Sequence, residues 1–255
     1  MNDQELRRAL LEKEFARLNP QQRQAVFQIE GPLLVLAGAG SGKTSVLTQR
    51  IAYMMRYGNA YHSLSDPAYT ADERAHLEDC LKNGIDEYGA SLLAEQPVDP
   101  YNILAITFTN KASREMRERI EKLVGDKASK LWVSTFHATC CRILRRDIEK
   151  LGYSNNFTIY DDEDQMSIIK DMLKQLDLSD KVYPPREMKA KIGDAKMNML
   201  SPDEYFAQSE KDFRMQKITD VYRLYEERLR HNNALDFDDL LLKTLELFVS
   251  VPPVL

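Results

Sequence analysis

The sequence predicts an α/β protein with a parallel sheet that carries helices on both faces, joined to a small all-helical domain. Three short apolar runs, each followed by a helical pattern, indicate the sheet, and they lie at residues 33–36, 102–108 and 131–136. Alternating strands and helices predict parallel pairing with right-handed crossovers. After Phe157 only helical patterns follow, which predicts the second domain.

The first run, Leu33–Leu36, is continuous, short and apolar, as is typical of a strand buried on both faces. A glycine-rich loop and an amphipathic helix follow it, with apolar residues at helical spacing from Val46 to Met55. After the second run, Thr109 and Asn110 can cap a helix over residues 111–124. The third run precedes a helix predicted over residues 137–151.

The predicted division gives residues 1–156 and 233–255 to the α/β domain and residues 157–232 to the helical domain. Helical patterns in the second part cover residues 164–176, 185–197, 202–209 and 212–230. A strongly apolar helix over 237–249 is expected to return to the first domain's core. Residues 58–100 lack strand character and predict a helical insertion, with short helices at 71–83 and 85–93.

Composition places the chain among ordinary globular proteins. Hydrophobic residues make up 43% and charged residues 29%, with a net charge of −5. No apolar run is long enough to span a bilayer, and the N-terminus lacks the apolar core of an export signal. We therefore expect no membrane association and a cytoplasmic location. The three cysteines, Cys80, Cys140 and Cys141, predict free thiols and no metal site.

The strongest motif is the glycine-rich loop AGAGSGKT, residues 37–44. It fits the phosphate-loop pattern G-x-x-x-x-G-K-[ST], except that Ala37 replaces the first glycine. Glycines let backbone N–H groups turn toward phosphate oxygens, and the following helix N-terminus favours negative charge. Lys43 would reach the β- and γ-phosphates, and the Thr44 hydroxyl would bind Mg²⁺. The sequence thus predicts a nucleotide site of the P-loop NTPase class.

Two acidic segments could supply the carboxylates that bind the metal and activate water, but both have a simpler explanation. Asp161 to Glu163 follow a short apolar run, but a helix start explains them, with Asp161 as the N-cap. Asp236, Asp238 and Asp239 also lie at a helix start, where negative charge is favourable. We therefore assign no catalytic carboxylate. A P-loop kinase with its metal site at residues 161–163 stays open as an alternative.

Five ordered segments resemble the UvrD/Rep/PcrA group of superfamily 1 DNA helicases over nearly the whole chain. They are LNPQQ at 18–22, AGAGSGKT at 37–44, AITFTNKASREM at 105–116, WVSTFHA at 132–138 and LDFDDL at 235–240. The resemblance implies a RecA-like ATP-binding domain with an inserted helical domain. It also implies an ATP-driven helicase or translocase that acts in DNA repair or replication, with 3′ to 5′ polarity.

The resemblance further implies a set of site residues. Gln22 would read adenine, and Lys43 and Thr44 would act in catalysis, with Thr44 on Mg²⁺. The residues implied around ATP, besides Gln22, are Ala37, Gly38, Ala39, Gly40, Ser41, Gly42, Lys43, Thr44 and Ser45. Those implied along single-stranded DNA, or at junctions of single- and double-stranded DNA, are Thr107, Phe108, Thr109, Asn110, Phe136 and His137. Without the resemblance, core packing would better explain Phe108 and Phe136.

The chain departs from the family pattern in three ways. Ser45 stands where the family often carries an arginine near the adenine, and residues 58–100 are longer than the usual connection. The Asp-Glu motif expected after LDFDDL does not occur before Leu255. We therefore expect residues 1–255 to bind nucleotide weakly and to hydrolyse essentially none. A nucleotide-dependent interaction module, with the insertion as its partner surface, is the alternative function.

Overall fold

The computed structural model describes residues 1–38, 40–210 and 212–254. The chain forms two compact units, Met1–Thr135 and Phe136–Leu255. The described residues are mostly helical and include two small parallel sheets. The predicted domain boundaries at residues 156/157 and 232/233 stay a prediction. Within the described part of the chain, no helix is both long and apolar enough to cross a membrane.

The first unit contains six α-helices and one two-stranded sheet among its described residues. Its elements are α1 (Asp3–Glu14), α2 (Pro20–Phe27), α3 (Lys43–Tyr57), α4 (Ala71–Asn83), α5 (Glu87–Leu93), β1 (Leu104–Thr107), α6 (Asn110–Val124) and β2 (Trp132–Thr135). Strands β1 and β2 are parallel, with Thr107 opposite Thr135 at their carboxyl ends. This pairing confirms the parallel order predicted for the second and third apolar runs.

The first apolar run does not form the predicted strand. Residues 33–36 lie in no ladder among the described residues, and Leu34 and Leu36 are 81% and 86% exposed. A parallel strand is held by ladder bonds to its neighbours, and in the described part of the chain β1 and β2 pair only with each other. The prediction of a strand buried on both faces is therefore wrong for this chain, because apolar character alone cannot supply a pairing partner.

The second unit is helical apart from one short parallel pair. Its elements are α7 (Phe136–Asp147), β3 (Thr158–Ile159), α8 (Asp162–Gln175), α9 (Pro185–Met197), α10 (Pro202–Gln208), α11 (Phe213–His231), β4 (Ala234–Leu235) and α12 (Phe237–Ser250). The expectation that strands stop at Phe157 misses β3 and β4, which are only two residues long and therefore leave no sequence pattern. Helix α12 packs against α7 within this unit.

Side-chain caps fix where many helices begin. Reciprocal capping boxes occur at α2, α4, α8 and α12, in which the N-cap side chain accepts from the third helical residue and that residue's side chain accepts in return. Asp161 caps α8 together with Asp164, as predicted. Asp236 caps α12 together with Asp239, also as predicted. These local pairs explain why the predicted helix starts are close to the observed ones.

Candidate nucleotide and DNA sites

The glycine-rich loop turns into α3 through left-handed backbone at two glycines. Gly40 has φ +75° and Gly42 has φ +83°, a region that L-residues with a Cβ rarely adopt. A Cβ on Gly42 would also lie 3.2 Å from Gln22 Nε2. The left-handed turn therefore favours glycine at position 42, and glycine also leaves room for the end of the Gln22 side chain. Ala39 of the predicted set lies outside the described residues.

The Lys43 side chain folds back over the loop. Its Nζ donates hydrogen bonds to the carbonyl oxygens of Ala37 and Gly38, at 2.9 and 2.6 Å. Ser41 Oγ donates to the same Gly38 oxygen at 2.7 Å. Lys43 is the first residue of α3 and is exposed, so its ammonium lies at the positive end of a 15-residue helix. A phosphate group could exchange for the two carbonyl oxygens without rebuilding the core.

Helix α2 places Gln22 against the loop. Gln22 Nε2 donates to Ser41 O at 3.1 Å, and Gln22 Oε1 accepts from the Asn19 backbone N–H at 3.0 Å. The structure thus brings together two segments, 18–22 and 37–44, that the sequence predicts around one nucleotide. They border a cavity of about 150 Å³, which is lined by Asn19, Gln21, Gln22, Ala25, Val35, Leu36, Ala37, Ser41, Lys43 and Val46.

Thr44 and Ser45 follow Lys43 in the first turn of α3, and both are exposed. The Thr44 hydroxyl is an oxygen donor of the kind that Mg²⁺ prefers. Ser45 contributes its backbone oxygen to a hydrogen bond from Thr48. The backbone turn, the lysine and the threonine fit the phosphates and metal of a nucleotide.

The predicted DNA-binding residues at the carboxyl end of β1 differ in how exposed they are to solvent. Thr107 is buried, and its hydroxyl donates to Thr109 O at 3.0 Å and also contacts Ser113 Oγ. Thr109 caps α6, accepting from Ala112 N at 3.1 Å, and Asn110 is the exposed first helical residue. Phe108 is 92% exposed. Core packing therefore does not explain Phe108. The Thr107 hydroxyl, in contrast, makes its hydrogen bonds inside the protein.

Phe136 and His137 begin α7 in the second unit. Phe136 is 43% exposed, and the His137 ring packs edge-on against the Phe237 ring at 5.8 Å between centroids. Among the nearby arginines, Arg145 lies over the Phe157 ring at 3.8 Å from its centroid and donates to Asn155 O at 2.8 Å. These contacts give Arg145 a structural role in packing against the Phe157 ring and the Asn155 backbone.

A sequence model of the UvrD/REP helicase N-terminal domain matches residues 18–64 and 85–255. The chain belongs to the UvrD/REP helicase family. It is 45% identical over 239 residues to the ATP-dependent DNA helicase PcrA of Staphylococcus aureus and 44% identical over 238 residues to that of Bacillus subtilis. Each alignment covers 93% of this chain and 27% of the relative, so the chain spans about a quarter of these curated relatives.

The family's LDFDDL segment holds a buried ionic cluster that the sequence reasoning missed. Lys196 of α9 is 2% exposed, and its Nζ lies 2.8 Å from carboxylate oxygens of Glu226, Asp236 and Asp239. Tyr225 donates its hydroxyl hydrogen to Asp236 at 2.9 Å. The sequence explains both aspartates as caps, and nothing in it signals a lysine some 40 residues upstream as their partner. The Lys196 cluster is the name used below for Lys196, Tyr225, Glu226, Asp236 and Asp239.

The two aspartates of the Lys196 cluster shift in opposite directions. Burial raises the pKa of Asp239 to about 7, against the attraction of Lys196. Burial opposes ionisation of Asp236 too, but Lys196 and the hydrogen bonds to Asp236 outweigh it and lower its pKa. Burial would also lower the pKa of Lys196, yet the three carboxylates raise it well above its ordinary value. Lys196 therefore keeps Asp236 ionised, whereas Asp239 loses its proton only at a higher pH.

Replacing Asp239 with asparagine is expected to change the pH dependence of stability in this UvrD/REP family member. The native state keeps the Asp239 proton up to about pH 7, whereas the unfolded chain releases it near pH 4. The stability that this proton gives is present at low pH and is lost as pH rises through that window. The unfolding free energy of Asp239→Asn, measured with urea relative to wild type, should therefore rise by about 2–3 kcal/mol as the pH increases from 5 to 8. A pH-independent difference would contradict the assignment.

Proposed function

We propose that this chain is the first ATP-binding part of an ATP-dependent DNA helicase of the UvrD/PcrA type. The observation that carries the proposal is the glycine loop, with its two left-handed glycines, Lys43 at the helix start and Gln22 bonded to Ser41. The related PcrA proteins are named as ATP-dependent DNA helicases, which supports the same activity here. The proposed cofactors are ATP and Mg²⁺, and the proposed polarity along single-stranded DNA is 3′ to 5′.

The proposed domain plan is RecA-like. Residues 1–156 and 233–255 would form the ATP-binding domain, and residues 157–232 the inserted helical domain. ATP binding would use the backbone N–H groups of the loop, the Lys43 ammonium and the dipole of α3. Thr44 would hold Mg²⁺, which neutralises charge on the phosphates. The acids at Asp161 and Asp236 act as helix caps, which supports essentially no hydrolysis by residues 1–255 alone.

Adenine recognition by Gln22 is the first test of the proposal. Gln22→Glu keeps a carboxylate oxygen for the Asn19 N–H but removes the amide donor. We expect the preference for ATP over GTP, measured by competition with a fluorescent ATP analogue, to fall about 10-fold, because a two-bond base contact contributes about 1–3 kcal/mol of discrimination. Gln24→Glu adds the same charge to the same helix and should keep the preference. An unchanged ratio in Gln22→Glu would refute the role of Gln22.

Stacking on Phe108 is the second test. Bases stack on exposed aromatic rings with little sequence preference, at about 1–3 kcal/mol per base. Phe108→Ala should therefore weaken binding of a fluorescent single-stranded oligonucleotide about 10-fold. The thermal melting of the variant should match wild type because the ring is 92% exposed. Phe213→Ala, which removes a ring that is 74% exposed on α11, is the control. Equal DNA affinity of wild type and Phe108→Ala would exclude the stacking role.

A nucleotide-dependent interaction module remains the second candidate. The family match leaves residues 65–84 uncovered, and this segment contains all of α4. However, Leu77 and Leu93 of the insertion are fully buried in a core shared with α1 and α3. The insertion is therefore part of the first unit's core as well as a surface, and no contact among the described residues favours a partner over the motor function.

A further inference from the structure

The 58–100 insertion brings together three side chains that ligate metals. His76 and Cys80 are four residues apart on α4 and so lie on the same helix face, and Asp86 is the N-cap of α5. His76 Nε2 lies 3.0 Å from Asp86 Oδ1, and Cys80 Sγ lies 4.0 Å from the same oxygen. One ligand atom from each residue lies within 4.8 Å of the other two.

These separations approach those of a tetrahedral zinc site. Zinc binds histidine nitrogen and carboxylate oxygen at about 2.0–2.2 Å and thiolate sulfur at about 2.3 Å. Two such ligands on one tetrahedral ion lie about 3.3–3.8 Å apart. The observed 3.0 and 4.0 Å lie on either side of that range, and the third separation, between His76 and Cys80, lies within 4.8 Å. Side-chain shifts of up to about 1 Å would therefore complete the geometry.

Neighbouring residues hold the three ligands in place. A Cβ on Gly89 would lie 2.9 Å from Cys80 Sγ and 3.1 Å from Asp86 Oδ1, so glycine leaves the space that the ligand atoms occupy. The Gly89 N–H donates to Asp86 Oδ1 at 2.7 Å, and the Tyr88 ring packs on the His76 ring. At the ends of the insertion, Asn59 N donates to Glu95 O at 2.8 Å. The hairpin of α4 and α5 is therefore closed at its base.

We propose that His76, Cys80 and Asp86 form a three-ligand site for a borderline-soft divalent cation, with Zn²⁺ as its preferred occupant. Thiolate and imidazole donors favour zinc over Mg²⁺, which prefers oxygen ligands, so this site is chemically distinct from the proposed nucleotide metal. Two of its three ligands lie in the segment that the family match leaves uncovered. The site is therefore a feature of this chain's insertion and does not depend on the proposed helicase function.

The site has a buried side and an open side. Cys80 is 4% exposed within the core that contains Leu77, whereas Asp86 is 57% exposed. An ion held by three protein ligands keeps a fourth position for water or for a ligand from another molecule. Binding requires a thiolate and a neutral imidazole, so the Cys80 proton passes to the solvent when the metal binds. The metal would join the C-terminal half of α4 to the start of α5.

The test is a titration of the 255-residue chain with Co²⁺, followed by displacement with Zn²⁺. Cobalt bound to a thiolate gives a near-ultraviolet charge-transfer band, which reports the ligand directly. We expect one equivalent of Co²⁺ with this band, its loss on adding Zn²⁺ and no response to Mg²⁺. The band should disappear in Cys80→Ala, which keeps the buried position apolar. In His76→Gln, we expect at least a 10-fold loss of affinity.

Matched controls come from the chain's other thiols and histidines. Cys140→Ser/Cys141→Ser and His62→Gln should bind Co²⁺ as wild type does, and the far-ultraviolet circular dichroism of every variant should match wild type. Absence of the band in folded wild-type protein would overturn the proposal. So would a band that persists in Cys80→Ala and is lost in Cys140→Ser/Cys141→Ser, since the metal would then sit on α7. A Zn²⁺-induced rise in melting temperature that is absent in Cys80→Ala would support the site independently.

Discussion

Replacing Lys43 by alanine is expected to lower the affinity for ATP about 10- to 100-fold. Lys43 Nζ already bonds two carbonyl oxygens of the loop, so its ammonium lies where a phosphate would meet the backbone. A hydrogen bond to a charged group contributes about 1.5–3 kcal/mol, which corresponds to that range of affinity. The measurement is a titration with a fluorescent ATP analogue and Mg²⁺.

Two further variants show whether the loss of affinity comes from the charge at position 43. Lys122→Ala removes an exposed lysine from the last turn of α6 and should bind the analogue as wild type does. Lys43→Arg keeps the charge and should bind more tightly than Lys43→Ala. Equal affinity of wild type and Lys43→Ala would show that the nucleotide binds away from the loop.

The second large effect concerns stability: Lys196→Met is expected to lower the free energy of unfolding by about 3–5 kcal/mol. Lys196 is the only positive charge described within 4 Å of Asp236 and Asp239, and all three side chains are almost fully buried. Removing one partner of a buried ion pair leaves uncompensated charge, which costs about this much. Urea unfolding monitored by circular dichroism measures the loss.

A double variant tests whether the loss comes from the carboxylates. In Lys196→Met/Asp239→Asn, one of the stranded carboxylates is gone, so the double variant should be more stable than the sum of the two single changes in unfolding free energy predicts. Lys174→Met, which removes an 82% exposed lysine on α8, should stay within about 0.5 kcal/mol of wild type. If Lys196→Met matched Lys174→Met, the Lys196 cluster would not stabilise the second unit.

Local chemistry explains which parts of the fold were predictable. Helix starts at α8 and α12 follow from acid pairs three residues apart, which satisfy the first N–H groups without help from distant residues. Parallel pairing of β1 with β2 follows from two apolar runs that flank one helix. Residues 33–36 carry an equally strong apolar signal but stay exposed. A strand depends on neighbours, and a pattern within one segment cannot reveal whether they are present.

The same distinction applies to the candidate sites. The glycine loop is contiguous, so its chemistry can be derived from eight residues, and Gln22 follows from the family resemblance. Thr107 and Phe108 are adjacent in sequence, yet one is buried and the other 92% exposed, and only the structure separates them. Lys196 and its aspartates, like His76 and Asp86, meet through packing between helices. The four-residue spacing of His76 and Cys80 places those two on one helix face, but no spacing rule points to Asp86 or to the partners of Lys196.

The most direct measurement is a crystal structure of this chain with a non-hydrolysable ATP analogue and Mg²⁺. We expect the phosphates to lie along the backbone of residues 38–44, with Lys43 Nζ moved from the Ala37 and Gly38 oxygens to a phosphate oxygen. Thr44 should contact the metal, and Gln22 should face the adenine. Nucleotide density elsewhere, with Lys43 still bonded to the two carbonyl oxygens, would contradict the assignment of this loop as the ATP site.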